Sequence, residues 1–148
     1  MLDGALRAVA AAMASARDPW WVIGSAAVRL HGVETPVADI DVLTSVADGE
    51  AIVAAWRRGV VIGAADHRFR STPFARLDGA ALPIEIMAGL HVHRDGAWRP
   101  VLPRSRVVHG GFPVPDRAEL IAILRLFGRP KDMRRAALLG AAPPFTVG

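Results

Sequence analysis

The run from Trp20 to Leu43 constrains this chain more than any other stretch. An apolar, strand-like piece, Trp20-Trp21-Val22-Ile23, enters Gly24-Ser25. A short amphipathic stretch follows and stops at Gly32, and a second apolar piece then carries Asp39 and Asp41. Residues two apart on a strand share a face, so the two carboxylates project together while Ile40 and Val42 point into a core. Paired carboxylates repel each other, and a divalent cation relieves the repulsion. Hard oxygen ligands suit Mg²⁺ or Mn²⁺. Gly24 permits close backbone approach. Ser25 is placed to cap the next helix, whose free N–H groups would meet an anion. An anion cradle beside a metal dyad points to phosphoryl or nucleotidyl transfer.

The rest of the chain reads as helices and strands around this run. Leu2, Leu6, Val9 and Met13 recur at helical spacing and predict an amphipathic helix over 2–16 rather than a signal peptide, because Asp3 sits where a signal wants positive charge. Asp48 is expected to cap a helix over 49–58, with Gly59 ending it. Strands over 69–77 and 81–87 flank Asp78-Gly79, a hairpin signal. A second hairpin is expected from 98–102 and 105–108, and a linker-like loop over 110–115. Asp116 with Glu119 has capping-box form, and Pro130 opens a last helix ending near Leu139. The expected architecture is α/β (α+β): a small mixed sheet flanked by helices, in a single domain over 1–148 with a loose tail over 140–148.

Gly-Ser, a short helix ending Leu-His-Gly, then Asp-Ile-Asp resembles the signature of the polymerase β-type nucleotidyltransferase superfamily. Its small bacterial members are nearest in pattern: the AbiEii-type proteins and the lincosamide or aminoglycoside nucleotidyltransferases. The resemblance covers 20–43, the strand around Glu85 and the C-terminal helices. It implies a third carboxylate from a later strand in an apolar-acid-apolar setting, which Ile84-Glu85-Ile86 supplies. The superfamily often has Asp there, and Glu reaches one methylene further. Arg129-Pro130-Lys131-Asp132 resembles a C-terminal motif whose lysine lies near the nucleotide phosphates or pairs with an acid. Departures stand at Thr35 and Val37, where relatives often carry Arg then Thr, and at Arg135, where an acid is common.

The resemblance implies a metal-dependent transfer of NMP from an NTP, ATP included, to an acceptor hydroxyl, with release of pyrophosphate. Asp39, Asp41 and Glu85 are the expected catalytic and metal-binding residues. Gly24, Ser25, Arg29 and Lys131 are the expected nucleotide-binding residues. The acceptor class stays open among small molecule, tRNA and protein, and a homodimer is one option for assembly. A catalytically lapsed binding module, such as an antitoxin component, is the alternative reading.

Composition adds bounds. The formal net charge is +4, and Lys131 is the only lysine in an arginine-rich chain. That balance fits a solvated surface or a polyanionic partner. There is no cysteine, consistent with a reducing, cytoplasmic setting, and no apolar run approaches the ~20 residues of a membrane span. His91 and His93 could face one side of a strand, as in some zinc sites, but no third ligand stands at a telling distance. His31 is expected to serve the end of its helix.

Overall fold

Two strands in which isoleucine and valine alternate with acids form the middle of the sheet. They are β2 (Ile40–Thr44) and β6 (Ile84–Ala88), and they pair in parallel with Ile40 opposite Ile84, Asp41 opposite Glu85 and Val42 opposite Ile86. The computed structural model describes residues 1–143; the remainder of the expected 140–148 tail lies outside the described residues. In chain order, α1 (Leu2–Met13), β1 (Trp21–Ile23) and α2 (Gly24–Leu30) precede β2. Between β2 and β6 come α3 (Val46–Ala55), β3 (Val60–Ile62), β4 (Phe69–Arg70) and β5 (Phe74–Leu77). After β6 come β7 (His91–Arg94), β8 (Ala97–Pro100), β9 (Val107–His109), β10 (Phe112–Val114), α4 (Arg117–Phe127) and α5 (Pro130–Ala141).

The main sheet is mixed, in the order β1-β2-β6-β5-β3, with β2 and β6 its parallel pair. A parallel pair needs a long crossover, and the segment through α3 and β3–β5 provides it. A second, antiparallel sheet has the order β4-β7-β8, and β9 and β10 form a hairpin.

The period-2 pattern separates two cores. Val22, Ile40, Val42, Ile84 and Ile86 face one side, against Leu6 and Val9 of α1, Leu120 and Leu124 of α4, and Leu139 of α5. Ile23, Leu43 and Met87 face the other, against Leu90, Val92, Ile123 and Phe127. Gly49 lets α3 lie close to β6: a Cβ there would stand 2.5 Å from Ala88 Cβ.

Several expected boundaries move. The α3 helix is capped by Ser45, whose hydroxyl accepts from the Asp48 N–H, and ends before Gly59. Asp48 is spent elsewhere, accepting from the Arg17 and Asp18 N–H groups. The expected strand over 69–77 is interrupted at residues 71–73, and its two halves join different sheets. The expected hairpin over 98–108 does not form, because β8 pairs back onto β7. The expected loop over 110–115 instead contains the β9–β10 turn at Gly110-Gly111. Asp116 caps α4 as expected, accepting from the Glu119 N–H. Among the described residues, no helix is long and apolar enough to cross a membrane.

Candidate active site

The in-register parallel pairing of β2 with β6 sets Asp41 beside Glu85, and Asp39 stands just before β2 on the same face. One carboxylate oxygen from each of Asp39, Asp41 and Glu85 lies within 4.8 Å of the other two, and all three residues are half-buried. Among the described residues this is the one group of three or more acids, histidines or cysteines close enough to share an ion.

The electrostatics of the trio suit a cation. Asp41 Oδ1 is closed off from solvent and has no hydrogen-bond partner. Burial, then the charges of Asp39 and Glu85, raise the Asp41 carboxyl well above the ordinary carboxylate range. Burial and the charge of Asp39 likewise raise Glu85. An unpartnered buried carboxylate is costly. One oxygen from each of the three carboxylates makes the hard, anionic donor set that Mg²⁺ or Mn²⁺ takes.

Gly24 closes one side of the site. Its φ is +65°, and a Cβ built there would lie 2.4 Å from Asp41 Oδ2. No residue with a side chain fits without displacing that carboxylate. Ser25 is buried inside the first turn of α2, and the N-cap is Ile23, which makes no side-chain cap bond. The capping role expected of Ser25 is therefore absent, because the helix starts one residue earlier.

The other expected residues divide. Lys131, exposed near the start of α5, is close enough for its charge to act on Glu85. Arg29 sits in the last turn of α2, where it reaches the Thr35 carbonyl at 3.4 Å and Glu34 at 3.7 Å. His31 is the C-cap residue of α2, and its Nε2 is 2.8 Å from the Pro115 carbonyl oxygen. His91 and His93 lie on β7, and His93 packs edge-on to Trp98.

Arg129 is the cation that sequence reasoning passed over. It lines a cleft of about 190 Å³ together with Asp41 and Glu85. Its charge acts to lower the Asp41 pKa, against the larger effect of burial. Its guanidinium lies 4.9 Å from the Phe69 ring centroid and is held by the buried Asp132, with Nε 2.6 Å from Oδ2 and Nη2 3.1 Å from Oδ1. The signal was present in the Arg129/Asp132 spacing at a helix start. Lys131, being the lone lysine, drew the attention instead. Arg76, opposite Glu85 on β5, was also missed; its charge acts to lower the Glu85 pKa.

No protein-family model matches this chain, and no curated protein matches it. Solved structures do. A crystal structure of a candidate nucleotidyltransferase (TM1012) from Thermotoga maritima is 25% identical, with a TM-score of 0.64 over 82% of this chain and 81% of that one. The antibiotic-resistance factor ANT(2'')-Ia is 17% identical, with a TM-score of 0.58 over 90% of this chain and 80% of that one.

Proposed function

Starting from the nucleotidyltransferase-superfamily fold of this chain, we propose that it is a metal-dependent nucleotidyltransferase. It would move NMP from an NTP to an acceptor hydroxyl and release pyrophosphate. The observation that carries the reading is the meeting of one carboxylate oxygen from each of Asp39, Asp41 and Glu85, in a trio whose Asp41 also keeps a buried oxygen without a hydrogen-bond partner.

Asp39 and Asp41, with Glu85, would hold the ions. When bound, a divalent cation supplies charge stabilisation on the phosphoryl oxygens and lowers the pKa of the acceptor hydroxyl. Glu85, which lines the cleft beside Asp41, would also take the acceptor's proton. Gly24 lets the Asp41 carboxylate lie against the start of α2, so phosphates held by the ions would come up beside the Gly24 backbone. The exposed Lys131 would place positive charge where the phosphates gain negative charge, and Arg129, fixed by Asp132, adds positive charge beside Asp41 in the cleft. Ser25 and Arg29 are proposed as further nucleotide contacts on α2.

The test is incubation with each labelled NTP, Mg²⁺ or Mn²⁺ and a cell extract, scoring pyrophosphate release and the labelled product. Metal-dependent release that is lost in Asp41→Asn supports the reading. Nucleotide binding with no release in any extract would favour the lapsed binding module, an antitoxin component being one form, for which the departures at Thr35, Val37 and Arg135 speak.

A further inference from the structure

We infer that the cleft beside Glu85 is the acceptor site, and that it takes a hydroxylated aromatic ring. This rests on the nucleotidyl-transfer reading. In-line displacement puts the attacking oxygen and the leaving pyrophosphate on opposite sides of phosphorus. Asp41 has Gly24, the proposed seat of the phosphates, against its Oδ2. The same carboxylate, with Glu85, lines the cleft. Gly24 is not in that lining, so an acceptor in the cleft would meet the reacting centre apart from the phosphate seat, next to the group placed to take its proton.

The lining selects the ring. Phe69, Phe74 and Phe127 are in the wall, with Phe69 and Phe127 edge-to-face at 5.1 Å between centroids. An apolar cavity of about 150 Å³ holds benzene, so about 190 Å³ accommodates one substituted ring. Two guanidinium groups flank the space. Arg129 lies over Phe69, and Arg70 lies over Trp98 with its carbon 4.6 Å from the ring centroid. Asp66 in the same lining and Asp132 on Arg129 offset these two charges, so the aromatic wall rather than net charge selects the occupant. Ser71 Oγ, closed off from solvent in the same lining, has no hydrogen-bond partner. Rotation of the half-exposed Ser71 about χ1 would turn the hydroxyl into the cleft, where a polar substituent on the ring would satisfy it.

In the transfer the aryl oxygen bonds to the α-phosphorus, its proton passes to Glu85, and the bond from α-phosphorus to the bridging oxygen breaks, releasing pyrophosphate. The products are an aryl nucleotide ester and pyrophosphate in equal amounts.

Calorimetry on the full chain with Mn²⁺ tests this in two steps. Binding of a non-hydrolysable ATP analogue is measured first; its absence in the parent overturns the nucleotidyl-transfer reading, and the acceptor assignment with it. The loaded protein is then titrated with 4-methoxyphenol, 4-methoxycyclohexanol and glucosamine. The expected result is 4-methoxyphenol binding at least about tenfold tighter than either of the others, weakened about fivefold by Ser71→Ala, the loss of one hydrogen bond to the ether oxygen. Ser71→Phe should fill the cleft and abolish 4-methoxyphenol binding while the ATP analogue still binds. If that variant fails to fold, and so binds no analogue, Ser71→Ala carries the test. Labelled ATP with 4-methoxyphenol should give the aryl ester. Four outcomes overturn the inference: glucosamine or 4-methoxycyclohexanol binding as tightly as 4-methoxyphenol; 4-methoxyphenol displacing the analogue, which would make the cleft the seat of the base; 4-methoxyphenol binding indifferent to substitution at Ser71; or 4-methoxyphenol binding without transfer.

Discussion

Two sets of carboxylates in this molecule are shielded from water and treated in opposite ways. Asp48 accepts from the Arg17 and Asp18 N–H groups and from the Ser45 hydroxyl, and Glu119 accepts from the Arg104 and Ser105 N–H groups and the Ser105 hydroxyl. Burial pushes both upward, but these donors outweigh it and hold both carboxyls below the ordinary range. Asp41 and Glu85 receive no comparable set of donors, and burial with mutual repulsion holds both above that range. The first set ties loops to helices and belongs to the architecture. The second set works against the architecture, which is what a site kept ready for a cation looks like.

The comparison breaks most sharply at Asp41. Asp41→Asn should reduce pyrophosphate release by about 10³-fold or more, since metal-borne stabilisation amounts to several kcal/mol. The metal-free protein should melt no lower than the parent, because a repelling charge is gone. A drop in melting temperature without metal would place Asp41 with the architectural acids. Gly24→Ala comes next. It strains a backbone at φ +65°, at a cost of about 1–2 kcal/mol, and drives a Cβ onto Asp41 Oδ2. Metal affinity, read by calorimetry, should fall along with stability.

On the architectural side, Glu119→Gln should cost about 2 kcal/mol in denaturant unfolding, the scale of hydrogen bonds to a charged acceptor, and leave metal affinity unchanged. The two sets should also separate by pH. A carboxyl raised by folding contributes stability that is complete below the ordinary carboxylate range and is lost as pH rises through its folded value. A lowered one contributes stability present above that range and lost as pH falls through its folded value. Melting temperatures with chelator present should thus decline on both sides. Asp41→Asn should flatten only the limb on the high-pH side, and Glu119→Gln only the acid limb. Smallest of all, Lys131→Ala should shift stability by less than about 0.5 kcal/mol, as expected of an exposed side chain, while raising the KM for NTP several-fold. An unchanged KM would remove Lys131 from the site.

Asp39, Asp41 and Glu85 were legible because strand periodicity of two tells which residues share a face, and an acid between isoleucines stands out. The β2 and β6 strands themselves, the α4 cap at Asp116 and Pro130 at the start of α5 were legible for the same local reasons. The cleft was not. Its walls come from 64–74, 85–90 and 127–129, and only the break at residues 71–73 sends β4 and β5 to different sheets. Nor was the α3 start, because Asp48 competes as a cap in sequence while tertiary donors on Arg17 and Asp18 claim it. Arg129 needed the knowledge that Asp132 is buried at 1% exposure, which makes its partner a fixed cation rather than a solvated one.

The parallel pairing of β2 with β6 has a kinetic side. Asp41 and Glu85 meet only when two strands distant in sequence close in register, and a slip of one residue would send Glu85 to the opposite face. Non-local pairings of this kind are slow to form, since the loop must close before the contacts repay it. Affinity for a divalent ion should therefore be absent from any partly folded state that lacks this seam, and should appear in the same phase as the seam itself. Mn²⁺ binding followed in time after dilution from denaturant would then serve as a clock for the closing of the sheet's centre.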